Sequence, residues 1–254
     1  MKTRLERILC RCPRLYLSLL RATGRASVEK RAFLALIRAG EVVFDIGANR
    51  GHFTRLFSWI VGRRGAVHAF EPQPGTFAIL RTAMERAGRP PNVTLNLCAL
   101  GETNGTAVLH QPEGDDGQAS LRTHHGGSWM RARSVHRYEC QVRTLDDYAA
   151  KLARLDFVKC DVEGAELLVV KGGRATLKRL MPLLWLESNG DWTRDFGSTP
   201  GDLIAELRAL GYDLFFSAEE TLAPLTDSGI TRGTNLLCAM SQIHAPRLAS
   251  LARI

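Results

Sequence analysis

The chain has no apolar run approaching the roughly 20 residues that a membrane-spanning helix needs. It also has no Cys-x-x-Cys pair. Cys10, Cys12, Cys98, Cys140, Cys160 and Cys238 stand apart, which predicts reduced thiols in a cytoplasmic protein and not a disulfide framework or zinc site. His124-His125 has no second pair to complete a metal set. No internal repeat or low-complexity tract is present, and no small-residue cleavage site follows the short apolar run at 15–20, so a signal peptide is not expected. Acids are scarce at one end only. Through Arg38, ten Lys and Arg stand against two acids (Glu6, Glu29), while from Ala39 onward 24 of each sign balance. The net charge of +8 therefore belongs to an N-terminal arm, and the near-neutral remainder argues against a nucleic-acid-binding domain.

A chain of 254 residues with 45% hydrophobic residues can bury one large core. The expected division is an arm over 1–40, a domain over 41–242 and a tail over 243–254. Within the arm, Leu5, Ile8, Leu9, Cys12, Leu15, Tyr16, Leu19 and Leu20 recur at near-helical spacing among arginines, interrupted by Pro13. Two readings are open. A basic amphipathic helix can lie on an anionic membrane surface. Alternatively, it packs its apolar side on the domain and shows arginines to water, the favoured reading because helices commonly close one face of an α/β sheet.

Residues 42–51, Val-Val-Phe-Asp-Ile-Gly-Ala-Asn-Arg-Gly, organise the rest. The first five predict a buried strand. A glycine turn follows, and Phe53, Leu56, Phe57 and Ile60 then recur at helical period. Strand, glycine turn and helix make the ligand-holding corner of an open α/β sheet. A dinucleotide fingerprint would need Gly at 49 and 52, where Asn49 and His52 stand. With Asp45 at the strand end, the corner repels a pyrophosphate and suits a ligand carrying an ammonium and hydroxyls, which points to S-adenosylmethionine. A second strand over 66–70 ends in Glu71-Pro72. Glu71 lies 20 residues after Gly51, about the offset at which an acid accepts both hydroxyls of a bound ribose.

Further along, periodicity predicts a helix over 74–87 and a third strand over 93–97. Strands over 106–110 and 138–142 flank a long stretch, 111–136, rich in Gly, His, Ser and Arg around Trp129. Such a stretch is either a lid or a disordered excursion. A helix over 145–155, a strand over 157–160, helical pieces over 164–171 and 175–180, and a strand over 183–186 follow. A helix over 200–210 leads to strands over 212–217 and 235–240, the last antiparallel because no long helix separates them.

Lys159-Cys160-Asp161-Val162-Glu163-Gly164-Ala165-Glu166 is the second informative run. Strand alternation puts Lys159 and Asp161 on one face, and this strand end lies beside the Asp45 corner. Asp161 is expected to hold Lys159 charged. Glu163 and Glu166 fall on a turn and a first helical turn, where acids also complement the helix dipole.

These residues, together with the 45–51 turn and Phe70-Glu71-Pro72, resemble the FkbM family of S-adenosylmethionine-dependent methyltransferases. The resemblance runs over about 41–240 and includes Asn235-Leu236-Leu237-Cys238. It implies a class I methyltransferase (Rossmann-like) α/β fold: a doubly wound seven-stranded sheet, last strand antiparallel, behind the helical arm. It also implies methyl transfer to an acceptor, usually a hydroxyl oxygen of a small molecule, sugar or glycolipid. By matching positions, Asp45, Gly47, Ala48, Asn49 and Gly51 would cradle the methionine end, Glu71 the ribose, and Ala99 would lie near the adenine.

Asp161 is expected to position or deprotonate the acceptor, or instead to hold the cofactor's ammonium, with Glu163 as the alternative base and Lys159 as electrostatic partner. Asp161, Glu187 and Asn189, at adjacent strand ends, are similar to the magnesium site of catechol O-methyltransferase, so a magnesium ion is a further expectation. Two alternatives stay open. The basic arm suggests an RNA or protein methyltransferase, although no Asn/Asp-Pro-Pro-aromatic motif is present. The other is a non-catalytic cofactor-binding protein docked to a membrane through residues 1–38. The expected partner is a small-molecule or glycan acceptor and not a nucleic acid.

Overall fold

A computed structural model describes residues 2–10, 12–23, 27–126, 128–219, 221–225, 234–249 and 251. Parts of the predicted arm (1, 11, 24–26) and tail (250, 252–254) lie outside the described residues. Helices α1 (Lys2–Leu9), α2 (Pro13–Thr23) and α3 (Val28–Leu36) come first. Pro13 begins α2, where its missing N–H costs nothing. Then follow β1 (Val42–Ile46), α4 (His52–Val61), β2 (Ala66–Phe70), α5 (Pro74–Arg86), β3 (Val93–Asn96), β4 (Ala99–Leu100), β5 (Gly105–Pro112), α6 (Ser128–Arg131) and β6 (Val135–Arg143). The remainder is α7 (Leu145–Tyr148), β7 (Phe157–Cys160), α8 (Glu166–Lys171), α9 (Arg174–Leu180), β8 (Leu183–Ser188), α10 (Gly190–Asp195), α11 (Pro200–Ala209), β9 (Leu214–Ala218), β10 (Leu222–Pro224), β11 (Thr234–Ala239) and α12 (Ser241–Leu248).

The main sheet runs β10-β9-β11-β8-β7-β1-β2-β3. β11 is antiparallel to both β8 and β9, as expected of the last strand. The eighth strand, β10, was not expected. It pairs antiparallel with β9 at the edge, where Pro224 removes a donor that would otherwise invite another strand. β7, β1 and β8 are buried on both faces, and alternation sorts their side chains into two cores. Phe44, Val158, Leu184 and Leu236 face one core with α8 and α11. Val43, Phe157, Trp185 and Leu237 face the other with α3 and α4.

The predicted arm is therefore not all appendage. Phe33 of α3 is fully buried, with its ring edge-on to Phe57, Phe157 and Trp185 at 5.0–5.6 Å. The tail folds back too, since Arg247 of α12 pairs with Glu41 at 2.7 Å and donates to the Leu36 carbonyl.

A second, three-stranded sheet (β4-β6-β5) stands off the first. Its β5–β6 hairpin pairs from Gly105–Val142 to Pro112–Val135, longer than the sequence predicted. The extra residues are mostly exposed, so they carry no apolar alternation to read. The helix predicted over 145–155 stops at Tyr148, and Arg179 donates to the Ala149 and Leu152 carbonyls that a longer helix would have used internally. Among the described residues, no helix is long and apolar enough to cross a membrane.

Candidate active site

β1 lies between β2 and β7, with Ile46 opposite Phe70 on one side and Cys160 on the other. Beyond these carboxyl ends lies a cavity of about 320 Å³, a size typical of small-molecule sites. Gly47, Ala48, Asn49, Glu71 and Ala99 line it, and so do Lys159, Asp161 and Glu163.

Two expected residues, Gly51 and Asp45, stand behind the residues that line the cavity. Gly51 has φ +81°, and a Cβ there would stand 2.5 Å from Leu80 Cδ1, so this glycine seats α4 against α5. Asp45 is fully buried behind the wall. Gly47 has φ +75°, and a Cβ on it would lie 1.8 Å from the Asp161 carbonyl oxygen. Only glycine lets the turn press so closely against the end of β7.

Glu71 is buried at the end of β2. Its two oxygens accept the Asn49 and Gln73 backbone N–H groups, each at 2.9 Å. Burial nevertheless pushes its carboxyl up to about 7, against the lowering effect of those two donors. Each oxygen keeps a lone pair for a further donor. Cys98, Leu100 and Leu109 add an apolar wall beside Ala99. A buried diol acceptor beside an apolar slot fits a nucleoside.

Asp45 and Lys159 are cross-strand neighbours. Lys159 Nζ lies 3.7 Å from Asp45 and 3.2 Å from Asp161, and donates to the Gly47 carbonyl at 3.0 Å. Burial disfavours the ammonium, but Asp161 and Asp45 outweigh it and raise its pKa. Burial raises the Asp45 carboxyl despite Lys159 and a 2.6 Å hydrogen bond donated by Thr54. Lys159 thus ties the glycine turn to β7 and holds two acids beside it.

Glu163 sits at φ +58° in the turn after β7, and Glu187 near the end of β8. Oxygens of Asp161, Glu163 and Glu187 lie within 4.8 Å of one another. One oxygen of Glu163 and one of Glu187 are buried without a hydrogen-bond partner. Burial, then the neighbouring carboxylates, push both acids strongly upward.

Asn189, the third member of the magnesium set expected from sequence, already has a structural task. Its oxygen accepts the Asp191 and Trp192 N–H groups and caps α10. Glu166, fully buried, accepts the Val162 and Gly164 N–H groups and closes the turn that presents Glu163.

The described part of the stretch expected as lid or excursion packs along the cavity, in the place of a lid. Its residue 127 lies outside the described residues, but Gly117, Ala119, Ser120 and Leu121 form part of the cavity wall. Ser120 exchanges backbone hydrogen bonds with His110 and donates its hydroxyl to the Glu163 carbonyl at 2.9 Å. The buried His124 ring bridges Asp195 Oδ2 (2.7 Å) and the Glu163 carbonyl (3.0 Å), stacked on Trp192 and edge-on to Trp129. Sequence reasoning missed Ser120 and His124; the one signal was Trp129, too apolar for a free loop.

The model of the methyltransferase FkbM domain matches residues 45–214, about two thirds of the chain. The 2-O-methyltransferase NoeI of Sinorhizobium fredii is 28% identical over 167 residues, covering 62% of this chain and 67% of that protein. The 31-O-demethyl-FK506 methyltransferase FkbM of Streptomyces tacrolimicus is 28% identical over 212 residues, covering 69% and 74%. The crystal structure of methyltransferase FkbM from Methylobacillus flagellatus KT superposes with a TM-score of 0.51 at 18% identity. It covers 80% of this chain, which spans only 44% of that longer one, so the likeness speaks to the fold alone.

Proposed function

The chain belongs to the FkbM methyltransferase family, an S-adenosylmethionine-dependent class, and from that premise we propose that it methylates a hydroxyl oxygen of a small molecule or sugar-bearing acceptor. The observation that supports the proposal is that three acids share the wall of one cavity. A buried diol acceptor, Glu71, shares the wall with Asp161 and Glu163. The two relatives named above bear names that describe O-methylation.

S-adenosylmethionine supplies a sulfonium methyl group. When it is bound, an acceptor oxygen would form its C–O bond as the C–S bond broke to a thioether, and the hydroxyl proton would pass to a base. Asp161, whose side chain keeps 36% of its exposure at the cavity, takes that proton. Glu163 is the alternative acceptor of the proton. Lys159 stays fixed on Gly47 and the two aspartates, so its part is to hold Asp161 in line for the acceptor. The lid over Glu163 excludes water that would compete for the methyl group.

The test is transfer of a labelled methyl group to a panel of hydroxylated acceptors by the wild type and by Asp161→Asn. The expected result is a stable methyl ether, with kcat reduced about 10²–10⁴-fold in the variant and cofactor affinity kept. Undiminished turnover in Asp161→Asn would remove that residue from the role of base, and methylation confined to nitrogen would overturn the reaction class.

A second element rests on the convergence of Asp161, Glu163 and Glu187. Three converging carboxylates, two of them with an unpartnered buried oxygen, would fit a hard divalent cation, which would lower the pKa of a bound hydroxyl. Activity abolished by chelation and restored by magnesium is the expected result; activity indifferent to chelator would exclude this element.

A further inference from the structure

The N-terminal helices present two apolar faces where a helix that merely closes a sheet needs one. The inner face is accounted for. Cys10, Tyr16 and Leu17 are buried, and Leu9 and Leu20 pack against the core beside α3. Glu6 accepts hydrogen bonds from the Tyr16 hydroxyl and the Lys30 ammonium, which latches α1 and α2 to α3.

The outer face is a second apolar stripe. Leu5, Ile8 and Leu15 are 58%, 61% and 56% exposed, and Cys12 and Leu19 are also exposed. Leu5 and Ile8 stand three apart on α1, and Leu15 and Leu19 four apart on α2, so each helix turns an apolar face outward.

From this we infer that α1 and α2 seat the protein on an anionic lipid bilayer, with Leu5, Ile8 and Leu15 entering the headgroup region. The inference goes beyond the methyl-transfer reading and does not depend on it.

Charge selects the occupant. Ten Lys and Arg precede residue 39 against two acids, and both acids have partners: Glu6 with Lys30, and Glu29 with Asn235. A second copy docked face to face on the stripe would bring two strongly basic arms together, which repel. A nucleic acid offers nothing apolar to the leucines. An anionic bilayer satisfies both features, through apolar insertion and attraction to basic side chains.

The experiment is co-sedimentation of the full chain with vesicles of phosphatidylcholine alone and of phosphatidylcholine mixed with phosphatidylglycerol. The expected result is binding to the mixed vesicles at least tenfold stronger than to the neutral ones and weakened by salt. The triple variant Leu5→Glu/Ile8→Glu/Leu15→Glu should lose at least tenfold in vesicle binding while keeping its thermal midpoint and S-adenosylmethionine affinity. Absent or charge-independent binding of the wild type, or unchanged binding of the variant, would overturn the inference. So would a dimer in sedimentation equilibrium that the same substitutions dissociate, because a second copy would then own the stripe.

Discussion

Cofactor affinity should depend on pH through Glu71, and the size of the effect follows from its surroundings. In the free protein burial holds this carboxyl at about 7, although two backbone N–H groups favour its ionised form. Two ribose hydroxyls donating to the carboxylate would add charge-assisted bonds and draw it back toward its ordinary value of 4.5. The free protein then binds more protons than the complex between pH 4.5 and 7. Binding releases a proton there, and affinity rises with pH until it levels off above 7. At pH 6 the dissociation constant should be about tenfold weaker than at pH 8, on the order of 1.4 kcal/mol.

The same shift has a cost in the free fold. A folded pKa raised above the unfolded value means that stability is fully present below 4.5 and is lost as pH rises through about 7. For one buried carboxyl the loss is on the order of 3 kcal/mol. The assay is titration calorimetry at pH 6, 7 and 8 in buffers of different ionisation enthalpy, which counts the proton directly. Glu71→Gln keeps the shape and removes the titration, so its profile should be flat and its affinity lower throughout. A wild-type dissociation constant indifferent to pH, or a slope that survives Glu71→Gln, would refute the reasoning.

Lys159→Met leaves Asp45 fully buried without a cation; calorimetry should show a loss of about 3–5 kcal/mol, or roughly 6–20 °C in Tm, largely recovered by adding Asp45→Asn. Gly47→Ala meets the Asp161 carbonyl in a left-handed turn, so a urea midpoint should report about 2–4 kcal/mol of destabilisation together with weakened cofactor binding. His124→Ala removes the bridge from the lid to Asp195 and Glu163; hydrogen exchange in the lid should accelerate at least about tenfold while the main sheet stays protected. Unchanged exchange would mean that Ser120 alone holds the lid.

The parts of this fold that were legible in the sequence are those where one physical demand dominates. The strand over 42–46 must be buried on both faces, so it is apolar without a break, and its glycine turn announces the corner. The neighbourhood of Asp45, Lys159 and Asp161 was also readable, because alternation and sheet topology leave little choice. What could not be read were positions where two structures use the same residue type. An asparagine oxygen serves a helix cap as readily as a cation, and at Asn189 it caps α10. Gly51 has a structural reason to stand in the motif, its seat against Leu80, that the sequence did not show. In the arm, periodicity identified a helix, but apolar residues filling two sides cannot say which side is covered. The lid was hidden because its anchors, Ser120 and His124, are polar and meet their partners only across long sequence separations.

The most direct test of the central claim is a crystal structure with S-adenosylhomocysteine bound. The account predicts the ribose hydroxyls within hydrogen-bond distance of Glu71, the adenine beside Ala99, and the sulfur facing Asp161 and Glu163. A nucleoside bound elsewhere, or a cavity that takes none while the chain remains folded, would contradict it.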